Sequence, residues 1–109
     1  MSVPDNKKIC SIVGLCLRAG RLAVGTENVL SSIKKGKTKG VFAANDISDN
    51  TKKKLSDSCS YYKAELYVLP LGMSELSDAL GKAGNVSSVS VEDKGFAAKV
   101  LELAGETRF

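Results

Sequence analysis

Histidine is absent from all 109 residues, and with it the commonest general base and metal ligand. Triad hydrolysis and metal-centred chemistry are therefore disfavoured, and no metal site is expected. Cysteine is scarce: Cys10, Cys16 and Cys59 are odd in number and form no C-x-x-C pair, which argues against a disulfide framework or a zinc site. Their expected role is that of small buried hydrophobes. Tryptophan is missing and tyrosines are few, with Tyr61 and Tyr62 at a helix end and Tyr67 in a strand, so no aromatic platform for unpaired bases is expected. No run approaches the roughly 18 apolar residues of a membrane span. The segment MSVPDNKKICSIVGLC is interrupted by Gly14 and followed by Arg18 rather than by a small-residue cleavage site, which places the chain in the cytoplasm with no membrane partner. Neither G-x-G-x-x-G nor G-x-x-x-x-G-K-[ST] occurs, so no cofactor and no small-molecule substrate are expected.

What is present is enough apolar material for one core: 43% of residues are hydrophobic and 26% charged. The net charge of +4 is unevenly spread. Residues 1–54 carry eleven Lys or Arg against four acids, a net of +7, and the remainder carry five against eight, a net of −3. A segregated positive field suits a polyanionic partner, because each neutralised phosphate releases condensed counterions. A solvated lysine-rich surface explains the asymmetry as well.

The hydrophobic pattern alternates helices with short apolar strands. Ile9, Ile12, Val13, Cys16 and Leu17 recur with helical period, predicting a helix over about residues 5–18. A short strand over residues 21–24 should follow. Thr26 is placed to cap a second helix with Val29, Leu30 and Ile33 inward and Lys34-Lys35-Gly36 at its end. The run from Gly40 to Ala44 reads as a strand covered on both faces. Ser48 should cap a third helix, residues 65–69 form a strand, and Ser74 should cap a short helix closed by Gly81 and Gly84. A strand over 86–91 and a helix capped by Asp93 complete the chain, with a frayed tail from Gly105. This order predicts a single α/β domain over residues 1–109.

Three places can carry chemistry. At the start of the second helix, Gly25 and Thr26 can receive a phosphate while Glu27 and Asn28 supply an acceptor and an amide for base edges, although a capped helix explains the same residues. The loop Leu69 to Met73 is either folded onto the core or an apolar contact surface. Asn45-Asp46, with Asn50 further on, lies at a strand exit where ligands gather in open α/β sheets, but an Asx turn capping the next helix accounts for Asp46 too. No nucleophile–base pair emerges, so an enzyme is not expected.

The motifs G-T-E-N-x-x-x-x-x-K-K-G, V-F-A-A-N-D-x-S-x-N-T-K-K-K-L, E-L-x-x-A-L-G-K and V-E-D-K-G-F-A-x-K-V-L-E-L occur in this order. Together they resemble the small bacterial YlxQ-type members of the kink-turn-binding ribosomal protein superfamily, relatives of archaeal ribosomal protein L-seven-Ae and eukaryotic L-thirty-e. The likeness runs from about Lys8 to Leu103. It implies a three-layer α-β-α sandwich with a mixed sheet of about four strands. It also implies a protein that binds a kink-turn or similar bent internal loop in structured RNA, ribosomal RNA included; a monomer in solution is expected. By the resemblance the second helix start enters the bend. Gly25, Thr26 and Lys35 match the pattern, Glu27 and Asn28 stand in swapped order, and Ser31 replaces a signature lysine, with Lys34 three residues on; Lys34, Lys35, Lys37 and the lysines after Asn50 are expected to bind the phosphate backbone. The loop from Leu69 through Met73, with Leu71, Gly72 and Met73 as its candidate contacts, corresponds to one that packs over a flipped-out nucleotide, and Asp46 at the strand exit is a further candidate. Some members of the superfamily bind proteins instead, and a protein-interaction module is the alternative.

Overall fold

A computed structural model of the chain describes residues 5–105 and residue 107. These form helices α1 (Asn6–Arg18), α2 (Thr26–Lys34), α3 (Asp49–Tyr62), α4 (Met73–Ala79) and α5 (Lys94–Ala104) and strands β1 (Leu22–Val24), β2 (Gly40–Ala43), β3 (Leu66–Val68) and β4 (Ser88–Val91). The side-chain oxygens of Asp5, Ser48 and Asp93 accept from the backbone N–H groups of Lys8, Thr51 and Phe96, fixing the starts of α1, α3 and α5.

The strands form one mixed sheet in the order β1-β4-β2-β3. β2 and β3 run parallel, and β4 lies antiparallel to both of its neighbours. Because side chains alternate across a strand, β2 sends Phe42 to one face and Val41 and Ala43 to the other. The first face packs under α1, α4 and α5 through Ile9, Val13, Leu76, Ala97 and Val100, with the rings of Phe42 and Tyr67 stacked 5.4 Å apart. The second packs under α2 and α3 through Val29, Ile33, Leu55 and Cys59. The expected three-layer sandwich is thus realised, its central strand covered on both sides.

Three local expectations change. Thr26 does not cap α2; Gly25 takes that position, and the Thr26 hydroxyl turns aside to Ser87 at 2.7 Å. α4 starts at Met73 rather than behind a Ser74 cap. The frayed tail lies largely outside the described residues, but the Thr107 carbonyl accepts from Val68 N–H at 2.7 Å, extending the β3 edge.

The direction of the strands decides where the loops meet. β1, β2 and β3 end, and β4 begins, at the same end of the sheet. Gly25 N–H bonds the Ser88 carbonyl, Ala44 N–H the Ser87 carbonyl, and Asn45 N–H the Leu71 carbonyl, so the four strand ends form one continuous rim.

Candidate nucleic-acid interface

The rim begins at the entrance to α2. Gly25 adopts φ +89° and ψ 157°, a region essentially closed to residues with a Cβ, and nothing lies within 4 Å of where a Cβ would stand. Its conformation therefore serves the turn and leaves open space above it. Having no side chain, Gly25 gives α2 no cap, and no hydrogen bond among the described residues serves the N–H groups of Thr26, Glu27 or Asn28. The other four helices each have a first-turn amide held by a carboxylate or hydroxyl oxygen. The first turn of α2 is thus an open set of donors at the positive end of a helix dipole.

Its side chains are positioned by the rim. Asn28 donates its amide N–H to the Val24 carbonyl at 3.0 Å, which holds the exposed side chain over the end of β1. Glu27 is exposed beside it. The Thr26 hydroxyl meets Ser87, which in turn lies 3.2 Å from the Ser88 hydroxyl, so the entrance to α2 is tied to the start of β4.

Below this entrance a groove of about 310 Å³ runs along α2 between the helix and edge strand β1. Asn28, Ser31, Ser32 and Lys35, spaced three and four apart on one helix face, form one wall. Leu22 and Val24 lie along the edge strand, and Lys37 and Lys82 add charge. Beneath, Ser90 passes a hydrogen bond to Ser32 at 2.8 Å, and Ser32 donates to the Glu92 carboxylate at 2.6 Å; with one proton per hydroxyl, Ser90 must be the donor in the first link. This chain pins α2 to β4 and keeps the groove's wall in place.

The remaining candidates are distributed differently from the sequence expectation. Lys34 is exposed but does not line the groove, and neither do the lysines of α3, which packs against α2. Leu71 is 1% exposed and belongs to the core, so its side chain offers no contact to a nucleotide. Met73 packs partly against the same core. Asp46 neither begins an Asx turn for α3 nor stands free: its Oδ1 accepts from Met73 N–H at 2.8 Å, capping α4 from another loop. Glycine at position 72 leaves room for that carboxylate, since a Cβ would stand 2.9 Å from Asp46 Oδ2 and would displace it. The loop brought against the entrance to α2 is the one holding Ser87, because β4 separates β1 from β2. The segment at residues 70–73 follows β3 but crosses back over the strand ends, its Leu71 carbonyl accepting from Asn45 N–H at 2.8 Å and its Met73 carbonyl from Val86 N–H at 3.4 Å, so Met73 lies next to the loop that holds Ser87. Lys82, Ser87 and Glu92 were missed by sequence reasoning; only strand order reveals them.

The thiols are inert in this arrangement. Burial, aided by nearby acidic groups, pushes Cys16 and Cys59 up to about 11 and raises Cys10 as well. The Cys16 thiol donates to the Arg21 carbonyl. Among the described residues no group of three or more His, Cys, Asp or Glu could hold a metal ion, and no helix is long and apolar enough to cross a membrane.

Comparison with known proteins follows the same outline. RNA-binding protein YlxQ of Enterococcus faecium is 39% identical over 103 residues, covering 94% of this chain and 97% of that one. RNA-binding protein YlxQ of Bacillus subtilis is 36% identical, covering 84% and 90%. Large ribosomal subunit protein eL30 of Sulfolobus acidocaldarius is 28% identical, covering 84% and 88%. The solved structure of a protein of unknown function from Bacillus halodurans superposes with a TM-score of 0.79 at 33% identity, covering 88% of this chain and 95% of that one. Residues 7–101 match the model of one family, and with these relatives they show that the chain belongs to the ribosomal protein L7Ae/L30e/S12e/Gadd45 family.

Proposed function

We propose that the chain is a non-enzymatic RNA-binding protein of the cytoplasm that recognises a kink-turn or a similarly bent internal loop, in ribosomal or other structured RNA. The observation that carries this reading is the open entrance to α2, where three amide donors, Glu27 and Asn28 face solvent at the head of a lysine-flanked groove. Bent RNA with tandem sheared G·A pairs presents base edges in a widened, shallow groove. Gly25 leaves room for close backbone approach, Asn28 and Glu27 meet the base edges, and Thr26 keeps the entrance aligned with Ser87. Ser31, Lys35 and Lys37 lie along the path of the descending strand, where the two lysines neutralise phosphates. Gly72, Met73 and Asp46 act on the part of the rim next to the Ser87 loop, where the Met73 carbonyl accepts from Val86 N–H, and Asp46 acts by shaping it. The names of relatives support the same class: two are called RNA-binding proteins and one is a ribosomal subunit protein.

A kink-turn duplex and an unbent duplex of equal length, titrated with protein in rising salt, test the reading. We expect a preference of at least tenfold for the bent duplex, growing relative to the straight one as salt suppresses phosphate contacts, since base-edge contacts are less salt-dependent (tenfold is about 1.4 kcal/mol). Equal affinities throughout would reduce the protein to a general polyanion binder.

A further inference from the structure

Tyr61 and Tyr62 are adjacent at the end of α3, 79% and 41% exposed, with ring centroids 4.8 Å apart and planes at 71°. The remaining tyrosine, Tyr67, stacks on Phe42 in the core. The sequence argued against an aromatic platform; the folded chain supplies a small one. α2 and α3 both begin at the rim and share a core cluster through Ile33 and Cys59, so both finish at the opposite end of the sheet. There α2 ends in Lys34 and Lys35, and Lys37 and Lys39 lead into β2. α3 closes on Lys63, whose φ of 58° makes it the non-glycine residue with left-handed backbone among the described residues. The Val41 N–H bonds the Glu65 carbonyl, which brings the lysine-rich entry to β2 beside the turn that follows Tyr62. Lys34, Lys35, Lys37, Lys39 and Lys63 are all exposed, and none forms an ion pair among the described residues. Lys35 and Lys37 also line the groove along α2, so the positive band runs on from the groove to the tyrosine pair.

We propose that Tyr61 and Tyr62 form a second RNA contact, a stacking site for an unpaired base whose flanking phosphates are met by Lys34, Lys39 and Lys63. Edge-to-face tyrosines beside cations match the chemistry of single-strand binding, in which bases stack on aromatic rings while lysines follow the backbone. A protein partner would call for an apolar core to the patch, yet among the described residues the other large exposed hydrophobic one, Leu15, belongs to α1 in the opposite helical layer. α3 is 14 residues long, so the pair lies about 21 Å from the rim. The partner's class is that of the proposed function, but the site is separate, and it suits a single-stranded extension or second loop of the RNA.

Because the chain has no tryptophan and Tyr67 is buried in the core, quenching of tyrosine emission by an added oligonucleotide reports mainly on Tyr61 and Tyr62. An eight-nucleotide unpaired oligouridine is titrated into the wild type, Tyr61→Ala/Tyr62→Ala and Tyr61→Phe/Tyr62→Phe, with affinity read by anisotropy of a labelled oligonucleotide and thermal melting as a check of folding. We expect saturable quenching in the wild type, a five- to hundredfold weaker Kd in the alanine variant, and near-wild-type affinity in the phenylalanine variant, which keeps the rings. Unchanged affinity in the alanine variant would overturn the proposal, and so would a phenylalanine variant as weak as the alanine one. Ultraviolet crosslinking of the oligonucleotide to wild-type protein gives a readout independent of mutant folding: adducts at Tyr61 or Tyr62 support the site, and adducts confined to other residues refute it. Asn28→Ala separates the two sites, since it should weaken the bent duplex and spare the oligonucleotide. Tyrosine-dependent oligonucleotide binding without any preference for bent duplex would leave this site standing and remove the proposed function.

Discussion

At the scale of single residues, Gly25 is the most exacting position. Its backbone lies where residues with a Cβ are strained, so Gly25→Ala should lower stability by about 1–3 kcal/mol by chemical denaturation even though the added methyl meets open space. Ser31 offers the opposite change. It stands in the groove wall where the resemblance expects a lysine, so Ser31→Lys should tighten binding of a kink-turn duplex about tenfold by adding a charge-assisted contact; no gain in anisotropy titrations would argue against that wall facing RNA. The thiols define an alkaline limit. Cys16 and Cys59 hold their protons to about 11 in the folded state, whereas an unfolded thiol ionises near the ordinary 9.0. The unfolded chain therefore releases protons first, and the stabilisation from these buried neutral thiols is fully present below pH 9 and is lost as pH rises through 11. Denaturation midpoints measured across pH 8–11 should fall more steeply for the wild type than for Cys59→Ala.

Among elements, α4 shows how a helix can depend on a distant loop. Its first amide is held by Asp46, 27 residues earlier, and Gly72 makes room for that carboxylate. Asp46→Ala should cost about 1 kcal/mol, in the range of a lost helix cap, and Gly72→Ala should cost a similar amount by displacing the same carboxylate. The two should be strongly non-additive in a double-mutant cycle; additive losses would mean that the contact contributes little. This explains why sequence reading located α4 but misassigned its start and Asp46. Local patterns register caps supplied three residues away, as with Ser48 and Asp93, and cannot register one supplied across the sheet. Helical periodicity did reveal the buried face of α1, and the continuous apolar run of β2 revealed a strand covered on both sides. The entrance to α2 was also legible, because glycine and polar residues ahead of an apolar stripe announce a helix start. The partnership of Thr26 with Ser87 was not, since 61 residues separate them. Leu71 stayed open between core and contact surface for the same reason, and its 1% exposure decides for the core: an apolar residue in a loop is ambiguous until the core that receives it is known.

For the molecule as a whole, charge asymmetry along the chain becomes a band of lysines that passes down the groove and across one end of the sheet, while the lysines of α3 stay outside the groove. Lys35→Ala and Lys37→Ala should each reduce the slope of log Kobs against log salt by about 1, and each should weaken bent and unbent RNA alike. Isothermal titrations at three salt concentrations measure both effects, and an unchanged slope would place those side chains away from phosphate. Strand order has a further consequence. β4, the last strand in the chain, lies between β1 and β2, and α5 packs against α1. A chain still being synthesised therefore has its first and second strands with nothing between them, and Ser87 has yet to arrive beside Thr26. The nucleic-acid rim cannot exist on a nascent polypeptide that stops short of β4, so truncation before residue 88 should yield a product that neither melts cooperatively nor discriminates among RNAs.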